Sequence, residues 1–431
     1  MSAPQPQPAV VGRRRRVLGA LRHRNYRLFF TGQVISQVGT WMQSIALPWL
    51  VLLLTHNDLL VGVTLACQFL PMLVLGPLGG IVADRFHKRR ILLITQTAFM
   101  VPSGALFLLT HFGLAQYPMV LAAAFMVGLI NVFDVPARQA FSIEMVGRED
   151  LMNAIALNSS VFNGAAVVGP AVAGLLIGFL GVQLCFLINS LSFLAPIGGL
   201  LLMRNLPRLV RDEERASTVW DRIREGASYV RHDRLVGTLL VAVSVFSMFA
   251  MNRLTLIPLF ADRVLQVGAS GFGFLMGALG LGALTGALSL AVLPGSVSGR
   301  RQFRVGMAWV VMLLLFSFSR SFWLSLVMLY GVGFCQMLFL ATANTRIQLV
   351  TPDHLRGRVM SLYAQGMMGT GPIGSTQAGA LSALLGPPAA MAIGAVVAGA
   401  TIVGVRFWRP EVFLRDQPKS GPGAVIRPPP A

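Results

Sequence analysis

A few charged and polar residues stand inside long apolar runs of this 431-residue chain, and their types and spacing limit the chemistry open to it. Asp84 ends one such run and is followed by Arg85, Lys88, Arg89 and Arg90. A carboxylate in that position can bond the free N–H groups at the start of a neighbouring helix. Asp134 and Arg138 lie one helical turn apart, and Glu144 follows, so Arg85, Arg89, Asp134, Arg138 and Glu144 could extend that contact into a charge network. Lys88 and Arg90 read as topology residues. Gln33, Gln37, Trp41 and Ser44 fall on one face of a helix. Polar side chains avoid lipid, so this face either lines a cavity or makes helix–helix hydrogen bonds. Asn131, Asn158, Asn163, Gln336, Asn344 and Gln365 are candidates to join it. Arg253 is a strong base deep in an apolar run, where a charge costs ~3 kcal/mol or more. It either attracts an anionic group of a substrate, such as a carboxylate or catecholate, or snorkels toward the outer surface and Asp262.

Other chemistries find little support. The six histidines have no ligand-like spacing, so no metal is expected. Cys67, Cys185 and Cys335 sit in apolar runs and read as small core residues. No G-x-x-x-x-G-K-[ST] motif occurs, which argues against ATP hydrolysis. An enzyme, or any bound cofactor, is therefore not expected.

The elements that hold these residues are membrane helices. Hydrophobic residues make up 55% of the chain and charged residues only 12%. Soluble domains carry roughly 25% charged residues, so soluble, disordered and disulfide-scaffold classes are excluded. A bilayer-crossing helix needs about 20 apolar residues. Twelve candidates fit: Tyr26–Leu54, Leu60–Ala83, Ile91–Thr110, Pro118–Val135, Leu151–Leu180, Gln183–Met203, Leu235–Phe260, Gly271–Leu293, Gln302–Ser319, Phe322–Thr345, Arg358–Leu385 and Pro388–Phe407. A net charge of +19 first suggests nucleic acid. With alternating spans, however, 32 of the 35 basic residues fall on one side, all but Arg253, Arg263 and Arg320. The positive-inside rule then predicts a multi-pass plasma-membrane protein with both termini cytoplasmic, and no nucleic-acid partner.

The polar stretch 204–234 divides the chain into six-helix bundles at 21–203 and 235–409, flanked by disordered ends at 1–20 and 410–431. Val219, Ile223, Ala227 and Val230 recur at helical spacing within the stretch, as an amphipathic surface helix or a plain connector would place them. The halves echo each other. Gly169-Pro170 is followed by Gly174 in the fifth span, and Gly371-Pro372 by Gly379 in the eleventh. Such repeats mark transporters with a substrate site near the midplane. The two prolines are expected to bend their helices. Gly76, Gly80, Gly169, Gly174, Gly273, Gly277, Gly282 and Gly286 are candidates for close helix contact.

Residues 80–92, "GIVADRFHKRRIL", resemble the G-x-x-x-D-R-x-x-R-R motif of the major facilitator superfamily, with His87 where a glycine is usual. The stretches 24–51, 134–146, 153–174 and 344–363 are similar to its enterobactin-exporter and macrolide-efflux branch. That branch often has Arg soon after the fifth-span Asn, whereas here Asn163 precedes Gly164, Ala165 and Ala166. The resemblance implies an all-α membrane fold of twelve transmembrane helices in two pseudo-symmetric bundles. Helix 5 would face helix 8 and helix 2 would face helix 11, with a cavity between helices 1, 4, 7 and 10. Asp84 would then clamp the start of helix 11 near Arg356 and Arg358, and Gly169, Pro170, Gly371 and Pro372 would take part in gating.

The expected function is secondary export of an amphipathic small molecule, a drug, macrolide-like compound or siderophore, by alternating access. The proton gradient is the expected driving force, with no identified titrating residue. The lipid bilayer is a partner and the working unit a monomer. Uptake, lysophospholipid flipping, and a non-transporting sensor or assembly partner are the rivals.

Overall fold

The computed structural model of the chain describes residues 19–147, 150–204, 228–292 and 298–414. Most of the expected amphipathic segment and both Pro-rich ends lie outside these residues.

The apolar runs fold as helices that cross the bundle in alternating directions. In order they are α1 (Arg24–Thr55), α2 (Asp58–Arg85), α3 (Lys88–His111), α4 (Tyr117–Val146), α5 (Leu151–Leu180), α6 (Gln183–Ser192), α7 (Leu194–Leu202), α8 (Arg234–Ala250), α9 (Arg253–Arg263), α10 (Gly268–Val292), α11 (Gly299–Phe318), α12 (Phe322–Val350), α13 (Asp353–Met368), α14 (Gly371–Leu385), α15 (Pro387–Trp408) and α16 (Pro410–Leu414). Helices α6 and α7 make one pass, as do α8 and α9. Among the described residues, eleven segments are long and apolar enough to cross a membrane. The twelfth pass, α13 with α14, is broken at Gly369 and Thr370. Pro372 follows this break in the first turn of α14, where its missing N–H costs no helical bond. Its counterpart Pro170 sits inside an unbroken α5. The paired prolines thus act differently: only the second marks a division.

One side of the bundle, here the terminal side, gathers the two described ends. There Arg24 donates to the Leu202 carbonyl at 3.1 Å and Arg409 to the Arg234 carbonyl at 3.2 Å. The opposite, distal side carries the α1–α2 and α9–α10 turns. Caps fix these passes. Asn57 accepts from the Leu59 N–H at 2.9 Å to start α2, and Asp233 accepts from Leu235 and Val236 to start α8. The halves' repeat shows in Gly181 and Gly386, which end α5 and α14 with φ of 89° and 84°, a backbone that favours glycine.

Packing across the halves joins α5 to α10 and α2 to α14, the pairs that the resemblance implied. Small residues permit it. A Cβ on Gly174 would stand 2.6 Å from the Gly273 Cα. Other glycine expectations need correction. Gly76 and Gly80 face open space, and the close approach in α2 belongs to Gly62 against Ser375 and to Gly79 against Val132. Gly169, Gly282 and Gly286 do make close helix contacts, but inside their own halves: Gly169 on Trp41 and Val38 of α1, and Gly282 and Gly286 on Tyr330 and Phe334 of α12.

Two helices outrun their apolar segments. Helix α4 continues to Val146 and α12 to Val350, so Arg138 and Arg346 are helical rather than loop residues. Each extension holds because its charge finds partners inside the bundle. Arg346, 0% exposed, donates to Gln302 Oε1 at 2.7 Å and to the Val412 carbonyl at 2.6 Å. Those bonds pin α16 against the second half.

Candidate functional site

The extension of α4 creates the main polar site. Asp134 is the next-to-last residue of the expected fourth span, Pro118–Val135, but in the structure it lies well within α4 and is 0% exposed. Thr95 Oγ1 and Gln96 Nε2 of α3 each donate to its Oδ1 at 2.8 Å, and Arg138 pairs with its Oδ2. A buried carboxylate is tolerated only when paired and bonded in this way. Arg138 also donates to Gln33 Oε1 of α1 at 3.2 Å. It therefore ties the Asp134 cluster to the wall of an open polar pocket.

That pocket, open to solvent, lies between α1, α4 and α5. Gln33, Gln37, Arg138, Gln139, Ser142, Asn158, Ser159 and Asn163 supply its polar lining, and Phe29, Val161 and Phe162 its apolar lining. Asn158 accepts from the Tyr26 hydroxyl at 3.1 Å and donates to Ser142 at 3.3 Å, which orients its amide. Trp41 meets Phe162 edge-on, ring centroids 5.4 Å apart. Such a wall can hydrogen-bond a polar rim and pack an apolar body.

A narrower crevice lies in the second half. Asn252, Arg253 and Gln336 meet there among Phe249, Leu313, Leu329 and Met391. Arg253 opens α9 just after the pass breaks at Met251 and Asn252. It makes no ion pair with Asp262, which is exposed.

The halves meet on the distal side. Trp49 of α1 stacks on Phe272 of α10 at 5.9 Å, and Ser270 Oγ donates to the Gly174 carbonyl at 3.1 Å. Farther out, Asp58 of α2 contacts Ser382 of α14 and Arg263 of α9. On the terminal side Asp84 is exposed and, among the described residues, makes no hydrogen bond or ion pair, so the expected clamp onto the start of α13 is not made in this structure.

Residues 16–421 match the family described as Transmembrane secretion effector. The chain belongs to this family of major facilitator transporters. It is 27% identical over 399 residues to the enterobactin exporter EntS of Escherichia coli O1:K1, covering 91% of this chain and 93% of that one. It is 26% identical over 168 residues to the staphyloferrin A transporter of Staphylococcus aureus, covering 39% of this chain and 42% of that one. Its fold is similar to a bacterial homolog of the lysosomal transporter Spinster in an inward-facing, occupied conformation, with a TM-score of 0.71 at 14% identity over 93% and 99% of the two chains. It is also similar to the nucleoside transporter NupG, with a TM-score of 0.70 at 12% identity over 90% and 98%.

Within this transporter, the remaining sequence candidates disperse. Ser44 donates to the Trp41 carbonyl at 2.7 Å and Asn131 to the Val127 carbonyl at 2.9 Å, both within their own helices. Asn344 accepts from Gln348 at 2.5 Å. Gln365 is exposed on α13 and lines neither pocket. Arg356 is exposed and Arg358 half-buried on the same helix. The charge network forms with a different member: Lys88, expected only to set topology, pairs with Glu144 at 2.7 Å. Arg89 instead donates to the Leu201 carbonyl at 3.1 Å, and Arg85 stays exposed. The first turn of α3 explains the exchange, since only one of three consecutive basic residues there can face α4. Gln139 and Ser142 lie beyond the apolar run of the fourth span, and Ser159 stands among other small polar residues of the fifth, so the sequence does not single them out. Asp58 and Arg263 escaped it because they flank short turns.

Proposed function

We propose that this transporter is a secondary active exporter of an amphipathic small organic molecule, siderophore-like in class, and works by alternating access. The observation that carries this reading is the asymmetry of closure. The two halves are sealed distally through Trp49–Phe272, Ser270–Gly174 and Asp58–Arg263, while Asp84 at the other end of α2 is unpaired. With the basic loops and both termini in the cytoplasm of a plasma-membrane protein, the terminal side is the inside. The polar pocket of α1, α4 and α5 then receives cargo from the cytoplasm. Rocking of the halves would pair Asp84 with the start of α13 and release the distal seal. Likeness to an enterobactin exporter and a staphyloferrin A transporter supports a siderophore-like cargo. No P-loop is present in the sequence, and proton exchange is the proposed drive. The working unit is a monomer.

Proton-gradient-driven uptake into inside-out vesicles tests this. Labelled enterobactin should accumulate in vesicles carrying the protein, faster when the lumen is acid, and should not in vesicles carrying Asp84→Asn. Accumulation only in right-side-out vesicles would make the protein an uptake permease. Movement of labelled lysophospholipid alone would make it a flippase.

A further inference from the structure

Among the described residues the distal seal contains one charged contact between the halves, built on a carboxylate that lines neither pocket. Asp58, in the first turn of α2, is 1% exposed. Its Oδ2 accepts from Ser382 Oγ of α14 at 2.5 Å, and Arg263 Nη2 of α9 stands 2.5 Å from its Oδ1. The same guanidinium nitrogen donates to the His56 carbonyl at 3.0 Å, so Arg263 grips both the α1–α2 turn and its carboxylate. Directly beneath, a Cβ on Gly379 would meet the Asp58 carbonyl at 2.7 Å, and the Gly62 position is equally tight against Ser375. Every partner of Asp58 belongs to the second half. The carboxylate is therefore desolvated only while the halves touch. Separating them would return Asp58 to water and leave Arg263, already 39% exposed, solvated as well. Helix α2 thus carries a carboxylate at each end: Asp58, engaged here, and Asp84, free here.

We propose that Asp58 is the distal latch of the transporter, a positioning residue that, with Arg263 and Ser382, sets the balance between the state closed distally and the state open distally. This rests on the alternating-access reading above. An ion pair that exists in one state and not in the other shifts their populations by its differential free energy. The Asp58 and Arg263 contributions are not separable: each charge is held by the other, so removing either should have nearly the same effect as removing both.

The test uses electron spin distances on the full chain in lipid nanodiscs, with the native cysteines replaced. One label pair reports the distal side (Leu114→Cys with Arg320→Cys) and one the terminal side (Phe86→Cys with Arg300→Cys). In the parent protein the distal pair should give one short distance. Asp58→Asn and Arg263→Gln should each convert at least a third of molecules to a distance about 10 Å longer, the scale of a helix diameter. The double variant should go no further than either single one, Ser382→Ala should act in the same direction but less, and Asp58→Glu should stay near the parent. A terminal pair that shortens in step supports the rocking motion as well. Distal lengthening with a static terminal pair supports the latch and overturns rocking. An unchanged distal pair in folded, monodisperse Asp58→Asn, or additive effects of the two charge removals, overturns the latch. Arg263→Gln, which alters a half-exposed side chain, keeps the test open should Asp58→Asn fail to fold.

Discussion

Asp134 and Arg138, one turn apart on α4, form an ion pair whose carboxylate is closed to solvent and whose guanidinium reaches the wall of the polar pocket. The pair therefore joins a buried bundle contact to the proposed cargo surface. Removing one partner leaves a charge in low dielectric, a loss of about 3–5 kcal/mol in buried pairs. Asp134→Asn and Arg138→Gln should each lower the thermal midpoint in detergent by several degrees. The double variant should recover part of that loss. A double variant as unstable as the summed singles would show that the two residues act separately.

Close backbone approach makes a second prediction. Gly174 and Gly273 cross where no side chain fits. Gly174→Val should force α5 and α10 apart at the distal seal, costing roughly 1–3 kcal/mol by overpacking. Gly80→Ala, in open space on α2, should be neutral to within about 0.5 kcal/mol. Thermal unfolding of both variants checks the contrast. Equal losses would mean that the seal is not the tight point.

Much of this arrangement was legible in the sequence, and the reasons for the gaps are local. Apolar runs separated by basic clusters gave the twelve passes because a bilayer demands length and excludes charge. The i, i+4 spacing of Asp134 and Arg138 gave their pairing, and the polar stripe gave Gln33 and Gln37 as pocket residues. Helix ends were harder. Polar residues such as Arg138 and Arg346 look like loop until a lateral partner is visible, and Gln33 and Gln302 lie far away in the chain. Lys88, Arg89 and Arg90 have the same chemistry, so which of them meets Glu144 depends on a helix phase that composition does not carry. Gly76, Gly79 and Gly80 raise the same difficulty, and the structure chooses Gly79. Asp58 and Arg263 flank ordinary-looking turns, and only tertiary contact joins them.

The exposed Asp84 makes a third prediction, in which stability and transport separate. Asp84 has no partner in this state, so Asp84→Asn should change the thermal midpoint by no more than an exposed surface substitution does, about 0.5 kcal/mol. If the clamp forms in the opposite state, the same variant should abolish transport. Vesicle uptake and a melting curve on one preparation decide it. Full transport in Asp84→Asn would sink the clamp, and a large loss of stability would mean that Asp84 is bonded in the resting state too.

Arg253 gives the fourth. It starts α9 in a crevice with Asn252 and Gln336, and among the described residues it has no ion-pair partner. A charge near the middle of a membrane helix is unfavourable by ~2.5–3.5 kcal/mol, so an intramembrane base is a candidate to serve a ligand or another conformational state. Replacing it with an uncharged chain of similar length should therefore stabilise the resting protein. Arg253→Met should raise the thermal midpoint, by an amount equivalent to up to ~3 kcal/mol. The ligand role predicts the opposite sign for binding. An amphipathic acid such as 1-naphthoate should raise the midpoint of the parent more than its methyl ester does, and that difference should vanish in Arg253→Met. A variant that melts lower than the parent would show that the guanidinium is already compensated. Equal shifts by acid and ester would rule out a ligand role for Arg253.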